Sequence, residues 1–236
     1  MYINSGDNIQ IVYWLLFIGI AVLGWVVQAN LDSKFKKYSK WAAPQGMTGA
    51  EAARRMLQDH GIGNVRITCV NGRLTDHYNP TDNTVNLSHD VYYGNSMTAV
   101  AVAAHECGHA VQHAVEYAPV KMRSALVPVV QFSSRIVTWV LLIGILAVNR
   151  FPGIMIAGIV LFAMTTLFSF VTLPVEVDAS RRALLWMRDS GIATTRQAQE
   201  PAREALKAAA NTYVVAALSS LATLIYYILI FTSRRN

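Results

Sequence analysis

The stretch Met97-Thr-Ala-Val-Ala-Val-Ala-Ala-His-Glu-Cys-Gly-His-Ala-Val-Gln-His-Ala114 organises the chain. It is rich in alanine and free of proline, and Asn95 or Ser96 stands ready to cap its start, so it reads as a helix. Within it, His105-Glu106-Cys107-Gly108-His109 sets two imidazoles four residues apart. On a helix they share a face and reach one metal ion, with Glu106 beside it and placed to take a proton from water. Cys107 lies two positions from His105, points off that face, and reads as a packing residue.

The surrounding composition is that of a membrane protein. Of 236 residues, 53% are hydrophobic and only 14% charged, and the apolar residues gather in long runs. Two cysteines, Cys69 and Cys107, are too few for a disulfide framework or a cysteine-only metal site. The net charge of +6 does not point to nucleic acid, because the basic residues flank apolar runs and form no aromatic-interleaved patch.

The first run, Ile9 to Val27, contains no Lys, Arg, Asp or Glu and is long enough to span a bilayer. The start lacks the positive charge of a cleavable signal, so the run reads as a retained anchor. Lys34, Lys36, Lys37 and Lys40 follow it, which places its far end in the cytoplasm and the amino terminus outside. Leu126 to Val148 and Ile154 to Leu173 form a hairpin across the tight turn Asn149-Arg-Phe-Pro-Gly153, with the span proper expected to begin after Arg135. Tyr213 to Phe231 is an uncharged fourth run, only moderately apolar because of Ser219, Ser220 and Thr223.

The expected organisation is an anchor over 1–27, a polar segment with the metal motif over 28–125, and a membrane hairpin over 126–173. A second polar segment covers 174–212, and a fourth transmembrane helix and tail cover 213–236. The two polar segments hold ten and six of the twenty basic residues, which places both in the cytoplasm. The fold class expected is mainly α: a four-span helical membrane protein with a small α+β cytoplasmic unit packed on a zincin-like motif helix. In that unit Thr48 to His60 reads as a helix with Thr48 and Glu51 as a capping box and Gly61 closing it. Val65 to Val70 reads as a strand, and Leu74 to Tyr78 with Thr84 to Leu87 as a hairpin. The edge of such a sheet either receives a substrate backbone or is purely structural.

A catalytic zinc generally has three protein ligands and one open position. His113 continues the four-residue series but lies about 12 Å along a straight helix from His105, so it is expected near the site or at an interface instead. His60, His77 and His89 lie upstream, where each is more often a surface or structural residue, although His77 could line a cleft. No histidine follows His113, so a downstream ligand must be acidic: Glu116, Asp189, Glu200, Glu204, or the pair Glu176 and Asp178. The pair stands apart because Leu173-Pro-Val-Glu-Val-Asp-Ala-Ser180 directly follows the third apolar run. Pro174 is expected in a helix's first turn, where an acid is favoured, so Glu176 also reads as a helix-capping residue.

These motifs, together with Asp76-His-Tyr-Asn-Pro80 and Asn86-Leu-Ser88, resemble the bacterial YugP-type neutral zinc metallopeptidases over nearly the whole chain. More distantly the arrangement is similar to heat-shock membrane proteases and CAAX prenyl proteases, gluzincin-like enzymes in which two transmembrane helices separate the motif from a glutamate ligand. The resemblance implies Zn2+ held by His105, His109 and Glu176, with Glu106 as general base. In the distant relatives an aspartate four residues after the glutamate supports the site. Here that position is Ser180, and Asp178 comes two after the glutamate, so Ser180, Asp178 and His113 are the candidates to surround the ligands. The implied activity is that of a membrane-bound metalloendopeptidase, multi-pass in the cell membrane, hydrolysing peptide bonds at a cytoplasm-facing site. Its implied partners are a peptide or protein substrate and the lipid bilayer, and a regulatory membrane partner or a homo-oligomer is compatible with the sequence. Two alternatives are an intramembrane-cleaving metalloprotease and a non-catalytic zinc-binding scaffold or chaperone-like protein. The first lacks any Asp-Gly pair and offers only about ten weakly apolar residues before His105. The open three-ligand pattern argues against the second.

Overall fold

The computed structural model describes residues 5–234. Met1 to Asn4 and Arg235, which entered the topology reading, lie outside the described residues. Four long helices are built on the apolar runs: α1 (Ser5–Tyr38), α5 (Ala118–Ala147), α6 (Pro152–Asp189) and α7 (Arg196–Ser233). Each is long and apolar enough to cross a membrane. Between α1 and α5 lie α2 (Gly49–Asp59), β1 (Arg66–Val70), β2 (His77–Asn79), β3 (Thr84–Ser88), α3 (His89–Tyr92) and α4 (Met97–Ala114). The chain is thus mainly helical with one small sheet. Its residues sort into two compact units, one of 1–27, 122–173 and 212–236, the other of 28–121 and 174–211.

The first unit is a bundle of apolar helix segments. Val137, Leu141, Val148, Met155 and Ile230 form its buried centre. Two glycines set how closely α5 and α6 approach: a Cβ on Gly144 would lie 2.8 Å from Met155 Cα, and one on Gly158 would lie 2.8 Å from Leu141 Cδ2. A hydrogen bond between Thr166 Oγ1 and Ser220 Oγ, 2.7 Å long, ties α6 to α7. Large apolar side chains such as Trp139 and Leu146 remain exposed, as suits a surface facing lipid rather than water.

The second unit is built around α4, which is buried on most of its surface. Its alanines let neighbours come close: Ala52, Ala53 and Met56 of α2, Val85 and Leu87 of β3, and Trp186 and Met187 of α6 share one core with Val100, Ala101, Ala104 and Cys107 of α4. Ser96 caps α4 as expected, its Oγ accepting from Ala99 N–H at 3.2 Å. The capping box on α2 also forms, with Thr48 N–H donating to Glu51 Oε2 at 2.8 Å and Glu51 N–H to Thr48 Oγ1 at 3.2 Å. The strands run in the order β1-β3-β2, with β2 antiparallel and β1 parallel to β3. The hairpin is shorter than the expected Leu74 start. Leu74 turns to φ 58°, outside extended geometry, and Asp76 swings round to accept from Ser88 N–H at 2.7 Å.

One expectation is overturned at Pro174. It does not open a helix; α6 runs unbroken from Pro152 to Asp189 with Pro174 inside. The acid at 176 therefore gains nothing from exposed N–H groups, and the helix-capping reading of Glu176 falls. An interior proline costs about 3 kcal/mol, and burial of the flanking helix, with Val171, Val175 and Ala179 all buried, works against that cost.

Candidate metal centre

Three donor atoms converge in the second unit. His105 and His109 project from one face of α4 with ring centroids 4.8 Å apart. From α6, Glu176 Oε2 lies 3.3 Å from His105 Nε2 and 3.6 Å from His109 Nε2. All the donor atoms lie within 4.8 Å of one another, and the glutamate is only 3% exposed. Donors around a tetrahedral zinc at about 2.0–2.1 Å stand roughly 3.3–3.4 Å apart, close to the two distances from the Glu176 oxygen to the imidazole nitrogens. The approach of α4 to α6 rests on Gly108, where a Cβ would lie 2.7 Å from Ala179 O.

The far nitrogens of both rings are held. Ser180 Oγ lies 3.1 Å from His105 Nδ1. Gln112, fully buried, places Oε1 3.0 Å from His109 Nδ1, while its Nε2 donates to Val175 O at 2.7 Å and to Asp178 Oδ2 at 3.0 Å. Carbonyl and carboxylate only accept, so both amide hydrogens of Gln112 are committed and its oxygen must face the imidazole. His109 Nδ1 therefore carries the proton, and Nε2 is left with a lone pair directed at the cluster. Asp178 is in turn held by Arg181 and Arg182. Burial pulls the His109 pKa down, but the neighbouring carboxylates of Glu176 and Glu106 favour its charged form, outweigh burial and raise it. The pocket favours positive charge.

Glu106 points to a different partner. Its Oε2 accepts from the backbone N–H of Tyr78 at 3.0 Å. Tyr78 sits on β2, an edge strand of the sheet, so a backbone donor holds this carboxylate in one orientation.

A family model described as "Putative neutral zinc metallopeptidase" matches residues 13–232. The chain belongs to this neutral zinc metallopeptidase family. The protein "Putative membrane protease YugP" of Bacillus subtilis (strain 168) is 42% identical over 224 residues, 94% of this chain and 98% of that one. No solved structure matches the chain.

Zinc is the metal that membership of the neutral zinc metallopeptidases implies, and the His105, His109 and Glu176 cluster is built to suit it. Of the other candidates, Ser180 touches His105 directly, whereas Asp178 reaches His109 only through Gln112. His113 is not among the converging donors, and its ring lies 5.4 Å from that of Tyr78. Cys107 is buried on the opposite side, its Sγ donating to Ala53 O at 3.6 Å, and burial pushes its thiol pKa up. His60 bonds Met56 O, His77 bonds Thr75 O, and His89 packs on Tyr93, so none joins the cluster. Glu116, Asp189 and Glu204 pair with Lys121, Arg188 and Lys34.

Two residues around the candidate metal cluster escaped the sequence reading. Gln112 carried a usable signal, because it stands three after His109 and so shares its face. The Tyr78 contact is made by a backbone N–H, which any residue but proline supplies, so no side chain betrays it.

Proposed function

We propose that this chain is a zinc metalloendopeptidase of the membrane, with His105, His109 and Glu176 as metal ligands, Glu106 as general base and an active site facing the cytoplasm. The observation that carries the reading is the convergence of two histidine Nε2 atoms from α4 on one carboxylate oxygen from α6, at 3.3 and 3.6 Å. The Bacillus relative, named "Putative membrane protease YugP", accords with it. Zinc, when bound, polarises the scissile carbonyl and acidifies water beside it. Each of the other tasks falls to a residue of the chain. Gln112 and Ser180 keep the two imidazoles turned so that Nε2 faces the metal. Tyr78 N–H holds one oxygen of Glu106, which leaves the other to take the proton of the attacking water and pass it to the departing amine nitrogen. The cytoplasmic orientation rests on the sixteen basic residues in the two polar segments.

The test is zinc content per chain and casein cleavage in wild type, Glu106→Gln and Glu176→Ala. Glu106→Gln should keep zinc and lose cleavage, and Glu176→Ala should lose both. Normal cleavage by Glu106→Gln would remove the proposed base, and full zinc in an active Glu176→Ala protein would remove the third ligand.

A further inference from the structure

Beside the candidate metal centre, α6 and α7 line a groove of about 470 Å³ that contains none of the three donor residues. One stripe of each helix lines it. On α6, Val177, Arg181, Leu184 and Arg188 follow one another at intervals of four, three and four residues, and on α7 Arg203 and Lys207 stand four apart on one face. The charge has one sign: four cationic side chains line the groove and no acidic one does. Asp178 and Asp189 engage Arg181 and Arg188 from outside it, but Arg203 and Lys207 make no hydrogen bond or ion pair with a described residue. The floor is apolar, and Val177 is 56% exposed there.

We infer that this groove binds the headgroup of an anionic phospholipid. Both halves of such a molecule find a counterpart. The phosphate meets Arg181, Arg203 and Lys207, and the first acyl carbons meet Val177 and Leu184. Val177 comes four residues after the apolar run ending at Leu173, and Ala210, also in the lining, three residues before the run beginning at Tyr213. The groove thus begins about one helical turn from each apolar run, the level at which lipid headgroups lie. A soluble acidic peptide would satisfy the cations but leave the exposed valine without a reason. Ser180, which holds His105, is part of the groove wall, so a bound lipid would lie against a support of the metal centre. The inference does not depend on the peptidase reading.

Native mass spectrometry of the full chain in detergent, with phosphatidylglycerol or phosphatidylcholine added, tests it. Wild type should retain phosphatidylglycerol in preference to phosphatidylcholine. R203Q/K207Q should weaken phosphatidylglycerol binding about thirty-fold by loss of two cations near the membrane, while R203K/K207R keeps it. Equal retention of the two lipids by wild type overturns the proposal without any variant, and so does an undiminished preference in R203Q/K207Q. Glycerol phosphate or a glutamate-rich peptide that displaces phosphatidylglycerol from wild type would make this a site for a soluble anion or an acidic segment, and would overturn it equally.

Discussion

Gln112 and His109 are locked in a single hydrogen-bonding sense. With both amide hydrogens given to Val175 O and Asp178, the Gln112 oxygen accepts from His109 Nδ1 at 3.0 Å, and the ring has no second tautomer to adopt. Losing this partner frees the ring to rotate and to hold its proton on the metal-facing nitrogen. Gln112→Ala should therefore weaken zinc binding by about 10–100-fold with the helical content intact, as removal of such outer partners does elsewhere. Competition against a chromogenic chelator measures it, and unchanged affinity would show that packing alone orients His109.

The contact of Gly108 with Ala179 makes a second expectation. A methyl at 108 would press on Ala179 O at 2.7 Å, a backbone atom that cannot swing away. Gly108→Ala should cost about 1–3 kcal/mol by forcing α4 off α6. It should also lower zinc affinity, because the histidines and Glu176 sit on those two helices. Thermal unfolding with and without added zinc separates the two effects; a variant as stable and as zinc-loaded as wild type would contradict the tight approach.

The two thiols should differ sharply in reactivity. Cys69 is exposed, whereas Cys107 is buried with its thiol pKa raised by burial. At about pH 8, a thiol reagent should label one cysteine per folded chain and the second only after denaturation. Rapid labelling of both in the native protein would mean that α4 opens.

Asp76 sets a pH dependence. Its carboxyl is raised above 3.8 because burial outweighs the hydrogen bonds from Ser88. A raised folded value means that the folded state binds the proton more tightly, so stability falls as pH rises from 3.8 through the folded value and stays lower above it. Asp76→Asn keeps an acceptor for Ser88 without the charge. It should match or exceed wild type at neutral pH and lose that advantage as pH falls through the Asp76 pKa. Denaturant midpoints measured across this range decide it, and an advantage that grows on acidification would reverse the sign.

Much of the molecule was legible because its determinants are local. The cap on α2 needs only Thr48 and Glu51, that on α4 only Ser96, and the four long helices announce themselves by uninterrupted apolar runs. What escaped depends on neighbours distant in sequence. The parallel pairing of β1 with β3 leaves no mark in either strand. Pro174 reads locally as a helix start, but α6 continues through it, with residues on both sides such as Val171, Val175 and Ala179 buried. For the site, the i, i+4 histidines were plain, whereas Gln112 acquired a meaning only once α6 supplied Val175 O and Asp178.

The donor set is also ordered in time. His105 and His109 leave the ribosome before either apolar run of the hairpin, and Glu176 only after both. A nascent chain therefore carries two imidazoles but no carboxylate to complete the trio until the hairpin has been synthesised. Burial of Glu176 against α4 then requires that α6 has taken up its place. If the proposed ligand set is right, full metal binding has to wait for the hairpin, and chains that stall before residue 176 would hold the two imidazoles without the carboxylate.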